Sequence, residues 1–266
     1  MLATRLGFPI STTHALLGAL IGAALGAGGA INYAALGSGF LLPLLLSPML
    51  SAGLGFSAYA LLRLRPLERD CVCVTVVETV SAGPSAALQG AGVELIIAPA
   101  IECAPLATPA RFSITALLDR AHLLSAVTVC FARSVNDTPK LAALLITANA
   151  FDPRVSALGI AMAMSLGGLI MARRVAETMS LRISRIDPAQ GVSANLITAV
   201  LVLSASNFGL PVSTTHVSVG SIAGAGARAG ALDWAVLRNV LLSWAATLPI
   251  AAAGAALLSL AAALWR

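Results

Sequence analysis

One octapeptide occurs twice in this chain, and its residue types suit it to holding an anion. Residues 7–14 read Gly-Phe-Pro-Ile-Ser-Thr-Thr-His, and residues 209–216 read Gly-Leu-Pro-Val-Ser-Thr-Thr-His. Proline disfavours helix at the residue before it, whereas serine and threonine are favoured helix N-caps. Each copy therefore predicts a helix that begins at the Ser-Thr-Thr run, with unsatisfied N–H groups and a partial positive charge at its first turn.

The similarity between the two copies continues beyond the octapeptide. At the same offset Gly18 pairs with Gly220 and Gly22 with Gly224, and each copy then runs into a long apolar stretch that contains a proline. A repeat of this kind indicates a duplicated unit. Paired, interrupted helices from two halves commonly surround the substrate of secondary transporters; the alternative is that the motifs only cap helices. The substrate-binding candidates in the two copies are Ser11, Thr12, Thr13, Ser213, Thr214 and Thr215.

Each octapeptide ends in a histidine, His14 in the first copy and His216 in the second. Imidazole titrates near neutral pH, so these side chains are candidates for carrying a coupled proton or binding a ligand. The alternative is a structural histidine that bonds a carbonyl oxygen of a neighbouring helix. The sequence leaves both interpretations open.

A third polar run lies between the two copies, inside an otherwise apolar region. Residues 131–140 read Phe-Ala-Arg-Ser-Val-Asn-Asp-Thr-Pro-Lys. Charged groups at membrane depth are costly and mark functional sites. Asn136 and Asp137 can coordinate a cation or bind an anion, and Pro139 is expected to unwind the helix and free carbonyl oxygens. The alternative is that Asp137 only forms an ion pair with the arginine or the lysine of this run.

The elements that carry these motifs are predicted to be membrane helices. Of 266 residues, 58% are hydrophobic and 10% are charged, and the mean hydropathy is +0.92. Because a span needs about 20 apolar residues and must bond its own backbone, we expect an all-α membrane protein with six to eight segments. The predicted segments are residues 13–31, 37–62, 156–173, 192–208 and 237–265, with weaker or interrupted ones at 114–147, broken around Asn136, and at 214–229.

Arginines flank the predicted spans and indicate their orientation. They follow the second span as Arg63, Arg65 and Arg69, and a later span as Arg173, Arg174, Arg182 and Arg185. By the positive-inside rule both loops should face the cytoplasm. The net charge of +5 does not indicate a nucleic-acid binder, because no aromatic residues interleave with these arginines.

Residues 63–111 form a more polar insert. Residues 72–80 and 93–98 have the composition of short strands, separated by Gly, Ser and Pro. Cys71, Cys73 and Cys103 lie in this insert without the paired CxxC spacing of a zinc site, so no metal or other cofactor is predicted. The predicted domains are residues 1–62 (the remainder of a first repeat), 63–111 (a cytoplasmic linker) and 112–266 (a second repeat).

At these motifs the sequence resembles the inorganic phosphate transporter (PiT) family. Members carry twice a Gly-Ala-Asn-Asp block followed by a Pro-x-Ser-Thr-Thr-His block, and residues 131–137 are similar to the second Asn-Asp block. Residues 187–191, Asp-Pro-Ala-Gln-Gly, resemble the loop that leads into the second Ser-Thr-Thr-His block. The resemblance covers nearly the whole chain except the insert.

The resemblance implies an inverted-repeat carrier with discontinuous helices that works by alternating access. It implies a phosphate symporter of the cell membrane, coupled to H⁺ or Na⁺, and not an enzyme. Asn136 and Asp137 would serve the ion and phosphate site. The expected partners are inorganic phosphate, the coupling cation, the lipid bilayer and a second copy in a homodimer. The candidates for coupling are Asp137, Lys140, Asn195, His14 and His216.

Three departures from the family pattern shape these expectations. The first Asn-Asp block of the family lies upstream of the position of Ser11, so the chain is expected to lack the N-terminal part of the first repeat. Lys140 stands where the family usually has another asparagine, so sodium-independent transport is expected, unless Lys140 only extends toward the interface. Asn195 stands where many relatives carry Glu or Gln.

Three other functions remain alternatives at this stage. A sulfate or other oxyanion permease would use the same helix ends, although Asp137 favours phosphate, which can donate a hydrogen bond to a carboxylate. A membrane hydrolase is disfavoured because Ser and His lie three residues apart on one turn, without a nucleophile elbow. An inactive, truncated scaffold is the third alternative.

Overall fold

The computed structural model describes residues 2–62, 71–80, 88–98, 110–148, 151–185 and 187–265. Helices dominate these residues. In chain order they are α1 (Leu2–Leu6), α2 (Thr12–Gly26), α3 (Tyr33–Leu36), α4 (Leu42–Leu62), α5 (Ile114–Thr147), α6 (Pro153–Met171), α7 (Arg173–Glu177), α8 (Pro188–Asn207), α9 (Thr214–Ala229) and α10 (Trp234–Leu264). Short π-helical turns at Gly37–Leu41 and Thr178–Arg182 precede α4 and follow α7.

Among the described residues, four helices are long and apolar enough to cross a membrane. Helices α2 and α9, with 15 and 16 residues, fall short of this length. Such helices are about 22–24 Å long, whereas the hydrocarbon core is about 30 Å thick. In place of the six to eight predicted membrane segments, the described residues contain four full-length spans, the two short helices α2 and α9, and the charged helix α5. The four spans are Tyr33–Leu61, Pro153–Met171, Pro188–Asn207 and Trp234–Leu264.

The two octapeptides adopt the same turn. Gly7 and Gly209 have φ angles of 77° and 67°, a region that L-residues with side chains avoid. The following N–H group bonds the carbonyl five residues earlier, at 2.9 Å in the first copy and 2.8 Å in the second. This is the bond that closes a helix at a left-handed glycine. The chain therefore stops one helix at each glycine before it begins α2 or α9.

The serine of each octapeptide caps the helix that follows. Ser11 and Ser213 have extended backbones, and their Oγ atoms accept hydrogen bonds from the N–H groups of His14 and His216, at 3.1 and 3.4 Å. Both helices begin at the threonine that comes next. Both helices thus begin within the Ser-Thr-Thr run, as predicted, and the first starts at Thr12, one residue before the predicted segment.

Each short helix packs against the long helix of the other copy. Helix α2 lies on α10 and α9 lies on α4, with glycines of the short helix pressed against carbonyl oxygens of the long one. Small residues at i and i+4 allow this close approach in membranes. Successive contacts advance in the same direction along both helices, so each pair is parallel. The contacts join Gly18 to Leu248, Gly22 to Ala252, Gly220 to Pro48 and Gly224 to Ala52.

Helix α9 lies at the centre of the described structure. Val219 and Ile222 pack into one buried apolar cluster with Ile183, Val240 and Trp244. On another side Val217 packs into a second cluster, which holds Ala132 of α5 and Ala199 and Val202 of α8. Helices α4, α5 and α8 thus enclose α9 and fix the second octapeptide against α5.

The prediction that residues 114–147 break around Asn136 is wrong. Helix α5 runs without interruption for 34 residues and contains Pro139. A proline removes one backbone hydrogen bond, and the turns on either side keep theirs, so the helix continues past it. The polar residues therefore lie on a helix face and not on an unwound segment.

The insert contains a three-stranded antiparallel sheet with strand order β2-β1-β3. The strands are β1 (Cys71–Val80), β2 (Leu88–Ala98) and β3 (Ala110–Ser113). The first two include the strands predicted at 72–80 and 93–98, and β3 was not predicted. Cys71 pairs in register with Ala98 of β2 and Ser113 of β3. Cys103 lies outside the described residues.

Candidate functional site

Four polar residues form one stripe along α5. Arg133, Asn136, Asp137 and Lys140 have the spacing i, i+3, i+4, i+7, which places their side chains on a single helix face. Asn136 and Asp137 are 4% and 3% exposed although the surrounding sequence is apolar. Buried polar groups require partners. Both octapeptides supply these partners.

The amide of Asn136 joins α5 to the second octapeptide. Its Nδ2 group lies 3.2 Å from the carbonyl oxygen of Val212 and 3.3 Å from Oγ1 of Thr214. It also lies 2.8 Å from Oδ1 of Asp137. On the opposite side of the amide, Oδ1 accepts a hydrogen bond from Oγ of Ser206, in the last turn of α8, at 3.2 Å. This asparagine therefore fixes α5 against the start of α9 and the end of α8.

The first octapeptide meets the same cluster from the other side. Oγ1 of Thr12 donates to Oδ2 of Asp137 at 3.3 Å, and Oγ1 of Thr13 donates to the carbonyl oxygen of Val212 at 3.3 Å. The second of these bonds joins the two octapeptides directly. The two copies of the motif thus converge through contacts between residues about two hundred positions apart in the sequence.

Lys140 turns into the cluster and not toward the interface. Its Nζ group donates to the carbonyl oxygen of Val212 at 2.8 Å, to Oδ1 of Asn136 at 2.9 Å and to Oγ1 of Thr13 at 3.4 Å. It lies 4.0 Å from Oδ1 of Asp137. The predicted alternative, in which Lys140 extends away from the site, is therefore wrong.

The cluster carries a net positive charge. Arg133 Nε lies 3.5 Å from Oδ2 of Asp137, so two cationic side chains adjoin one carboxylate and leave one positive charge. Asp137 therefore does form the ion pairs with Arg133 and Lys140 that the sequence offered as an alternative, but these pairs do not neutralise the cluster. The first N–H groups of α2 and α9 add partial positive charge because they have no partner within their helices. A small anion is the ligand that this arrangement suits.

The remaining predicted binding residues lie in or beside the two helix starts. Ser11 and Ser213 are 0% and 2% exposed and act as caps, and Thr215 is buried in the first turn of α9. Among the described residues, no group of three or more His, Cys, Asp or Glu side chains could hold a metal ion. The ligands available here are hydroxyls, amides, one carboxylate and backbone groups.

The two histidines form a second, adjoining group. Their rings lie 4.5 Å apart, and His216 packs on Trp244 with a centroid separation of 3.8 Å. Nδ1 of His14 is 3.1 Å from Oγ of Ser11. Both rings line a cavity of about 510 Å³ whose other walls are mostly apolar side chains of α4, α9 and α10. The histidines connect the two octapeptides to each other, beside the α5 stripe.

Asn195 is not brought to the cluster. Its Nδ2 group donates to Oγ of Ser125 at 3.0 Å and joins α8 to α5. Ser125 precedes Asn136 by eleven residues on α5, which corresponds to roughly 16 Å along the helix axis. Of the predicted coupling candidates, Asn195 therefore lies apart from the others.

Sequence reasoning missed three contributors to this region. Ser206 has no motif to mark it, and the carbonyl of Val212 is a backbone group within the repeat, left outside the helix by the cap at Ser213. Trp244 donates from Nε1 to the carbonyl oxygen of Pro9 at 2.7 Å and so holds the first octapeptide in place. Only the fold brings this tryptophan to the motif, because 235 positions separate the two residues.

Comparisons with known proteins agree with the motifs. The phosphate transporter family matches residues 1–255. A probable low-affinity inorganic phosphate transporter of Bacillus subtilis (strain 168) is 29% identical over 252 residues, which are 89% of this chain and 62% of that protein. Sodium-dependent phosphate transporter 1-B of Danio rerio is 43% identical over 79 residues, 29% of this chain and 12% of that protein. Sodium-dependent phosphate transporter 1 of Xenopus tropicalis is 42% identical over 79 residues, with the same coverage.

No solved structure matches the chain. The chain spans 62% of the length of the Bacillus subtilis relative and 12% of the two vertebrate ones. The matched family consists of transporters and not of enzymes. The family match covers nearly the whole chain, and four helices within the described residues are long and apolar enough to span a membrane. This is therefore an integral membrane protein that belongs to the phosphate transporter family.

Proposed function

We propose that this chain forms a phosphate site of a cell-membrane transporter. The site lies where the N-terminal ends of α2 and α9 meet the polar stripe of α5. The family and the name of the Bacillus subtilis relative support phosphate as the substrate. The observation that carries the proposal is the convergence of both octapeptides on Asp137 and Val212, which joins two anion-attracting helix ends to a cluster of net positive charge.

The Asp137 carboxylate favours phosphate over sulfate. At neutral pH phosphate keeps a hydroxyl group that can donate a hydrogen bond to a carboxylate oxygen, whereas sulfate has none. Oδ2 of Asp137 already accepts from Thr12 of the first octapeptide, so the carboxylate lies at the edge where an anion would meet that helix end. A sulfate ion placed there would have no hydrogen to offer the carboxylate oxygen, so two sets of acceptor oxygens would face each other, which is unfavourable in a buried site.

The swapped helix pairs support an inverted repeat that works by alternating access. Helix α2 runs parallel to α10, and α9 runs parallel to α4. If each copy folds as an antiparallel hairpin of its short and long helix, this pairing places the two copies in opposite orientations, as in inverted-repeat transporters. The coupling cation would then be H⁺ or Na⁺, and the sodium-dependent relatives are a precedent for the second.

Phosphate binding and uptake test the proposal with Asp137→Asn. The purified chain is reconstituted into proteoliposomes, and both radiolabelled phosphate uptake and phosphate protection against thermal unfolding are measured. We expect Asp137→Asn to insert into the membrane normally, because the variant keeps the shape of the side chain. It should lose most of both signals, because it lacks the carboxylate that accepts the hydrogen of phosphate and pairs with Arg133 and Lys140. Asp152→Asn, at the exposed N-cap of α6, is the matched control and should behave like the unchanged chain.

Competition between labelled phosphate and unlabelled anions distinguishes a phosphate transporter from a general oxyanion permease. Unlabelled phosphate should displace the label at concentrations at least tenfold lower than sulfate. Equal displacement by sulfate would identify a general oxyanion permease. Full phosphate protection in Asp137→Asn would return Asp137 to a structural role, and the absence of both binding and uptake in the unchanged chain would contradict the proposal.

A further inference from the structure

The ammonium group of Lys140 lies inside a shell of oxygen atoms that come from three parts of the chain. The nearest are the carbonyl oxygen of Val212 at 2.8 Å and Oδ1 of Asn136 at 2.9 Å. Oγ1 of Thr13 lies at 3.4 Å and Oδ1 of Asp137 at 4.0 Å. A backbone carbonyl, an amide, a hydroxyl and a carboxylate thus face one cationic nitrogen.

The hydrogen-bonding capacity of Lys140 is used up within this shell. A lysine ammonium has three donors, and three acceptors lie within 3.4 Å of it. No donor remains for a bound anion. Lys140 therefore acts on the site as a positive charge held by the protein and not as a direct ligand of phosphate.

The composition of this shell is that of a cation site. Oxygen atoms of unwound backbone and of neutral side chains replace the water around an alkali-metal ion in channels and transporters. The carbonyl of Val212 belongs to the extended segment before α9, and its neighbours in the shell are neutral except for Asp137. The shell also includes one oxygen from each octapeptide, so a cation here holds the two copies together.

We propose that the Lys140 ammonium is the resident cation of this shell and occupies the place of a sodium ion. Anion binding at the adjoining site then does not require sodium, because the positive charge that it would supply is covalently attached. The independence of anion binding from sodium rests on the proposed phosphate function, whereas the occupancy of the shell by the ammonium group does not. Removal of the ammonium should turn the shell into a sodium site.

Arg133 provides a matched control within the same stripe. Its Nε atom lies 3.5 Å from Asp137, so it is also a cation beside the carboxylate. Its side chain is 47% exposed, against 23% for Lys140, and it has no bond to Val212, Asn136 or Thr13 among the described contacts. The loss of Arg133 removes the same formal charge but opens no space inside the shell.

The experiment compares sodium and choline at constant ionic strength. The melting temperature of the purified, detergent-solubilised chain is measured as NaCl replaces choline chloride, with direct ²²Na⁺ binding alongside. We expect no sodium effect in the unchanged chain and saturable stabilisation by sodium, with stoichiometric ²²Na⁺ binding, in Lys140→Ala. Lys140→Asn, which adds a neutral oxygen, is the second variant and should respond likewise, whereas Lys140→Arg and Arg133→Ala should not respond.

Three results would overturn the proposal that Lys140 occupies the place of a sodium ion. Saturable ²²Na⁺ binding to the unchanged chain would overturn the proposal, and this measurement requires no variant to fold. A folded Lys140→Ala or Lys140→Asn chain that ignores sodium would also overturn it. A sodium response in Arg133→Ala equal to that in Lys140→Ala would show a general charge effect and would contradict the specific shell.

Failure of this inference and failure of the phosphate function can be told apart. Sodium-responsive Lys140 variants in a chain that binds no phosphate would sustain the cation shell and contradict only the phosphate site. Phosphate binding that is equal in sodium and in choline for the unchanged chain and for Lys140→Ala would sustain the phosphate site and overturn the inference.

Discussion

Every residue of α9 from Thr214 to Gly226 is buried, whereas α2 buries only Thr13, His14, Leu17, Gly18 and Gly22. Both helices follow the same octapeptide, the same left-handed glycine and the same serine cap. Their difference therefore does not come from the shared octapeptide. It lies in the helices that surround them.

Neighbouring helices explain the contrast. Helix α9 packs against α4 on one side and against α8 and α5 on others, whereas the extensive packing of α2 is with α10. Leu20 of α2 is 51% exposed, whereas Ile222, its equivalent in the repeat, is 7% exposed. The same motif thus lies at the centre of the described structure in one copy and at its periphery in the other. Equivalent substitutions in the two helices measure how much of the stability comes from that enclosure.

The largest difference is expected for Ile222→Ala against Leu20→Ala. Ile222→Ala should lower the free energy of unfolding by on the order of 2 kcal/mol, because a cavity remains between helices that cannot close on it. Leu20→Ala should change it by less than about 0.5 kcal/mol, since its side chain is exposed. Chemical denaturation in detergent micelles, followed by circular dichroism, gives both values. Equal losses would mean that α2 is enclosed as fully as α9.

A smaller difference is expected between Gly224→Ala and Gly22→Ala. In each case the added methyl group collides with a carbonyl oxygen of the partner helix, Ala52 or Ala252. Overpacking of this kind costs about 1–3 kcal/mol. Gly224→Ala should lie at the upper end of this range because α9 cannot move, and Gly22→Ala at the lower end because α2 can shift toward its open side.

Gly254→Ala is the control for the glycine pair. A methyl group at this position meets no neighbouring atom within 4 Å, so it should stabilise α10 by up to about 1 kcal/mol through helix propensity alone. Melting temperatures of the three variants rank the effects. A Gly22→Ala chain that is less stable than Gly224→Ala would contradict the assigned mobility of α2.

The smallest effects are expected from the caps. Ser11→Ala should cost about 1 kcal/mol, since Oγ of Ser11 accepts from the N–H of His14 and also contacts its ring at 3.1 Å. Ser213→Ala should cost about 0.5 kcal/mol, because its bond to the N–H of His216 is longer, at 3.4 Å. Denaturation curves measure both, and the threonine variants, which retain a cap, should recover most of the loss. The reverse order would show that the closer enclosure of α9, and not cap geometry, sets the cost.

Much of the local structure could be predicted from the sequence. Pro-x-Ser-Thr-Thr predicted both helix starts because capping depends on a few adjacent residues, and β-branched runs predicted the first two strands. The break at Pro139 was predicted wrongly, since the local effect of a proline was given more weight than the bonds of the flanking turns. The four-residue strand β3 is too short to have a pattern of its own.

Most residues of the candidate site could be predicted from the sequence, but the hydrogen bonds that join them could not. The repeat and the Asn-Asp pair marked the residues from α2, α5 and α9 that meet at Val212 and Asp137. Asn195 was drawn in by resemblance, and the structure places it at a different level of α5. Ser206 and Trp244 were missed because each acts through a single hydrogen bond across a helix interface, and such a bond has no sequence pattern.

The sequence by itself determined the membrane character, the duplication, the two capped helix starts and the charged stripe of α5. These features depend on composition, on near neighbours along the chain and on helical periodicity, all of which can be read without a fold. The tertiary structure alone decided that Lys140 points into an oxygen shell, that each short helix packs on the long helix of the other copy, and that α9 is enclosed while α2 is not. Those outcomes depend on contacts between residues far apart in the sequence, whose energies arise only when the helices pack together.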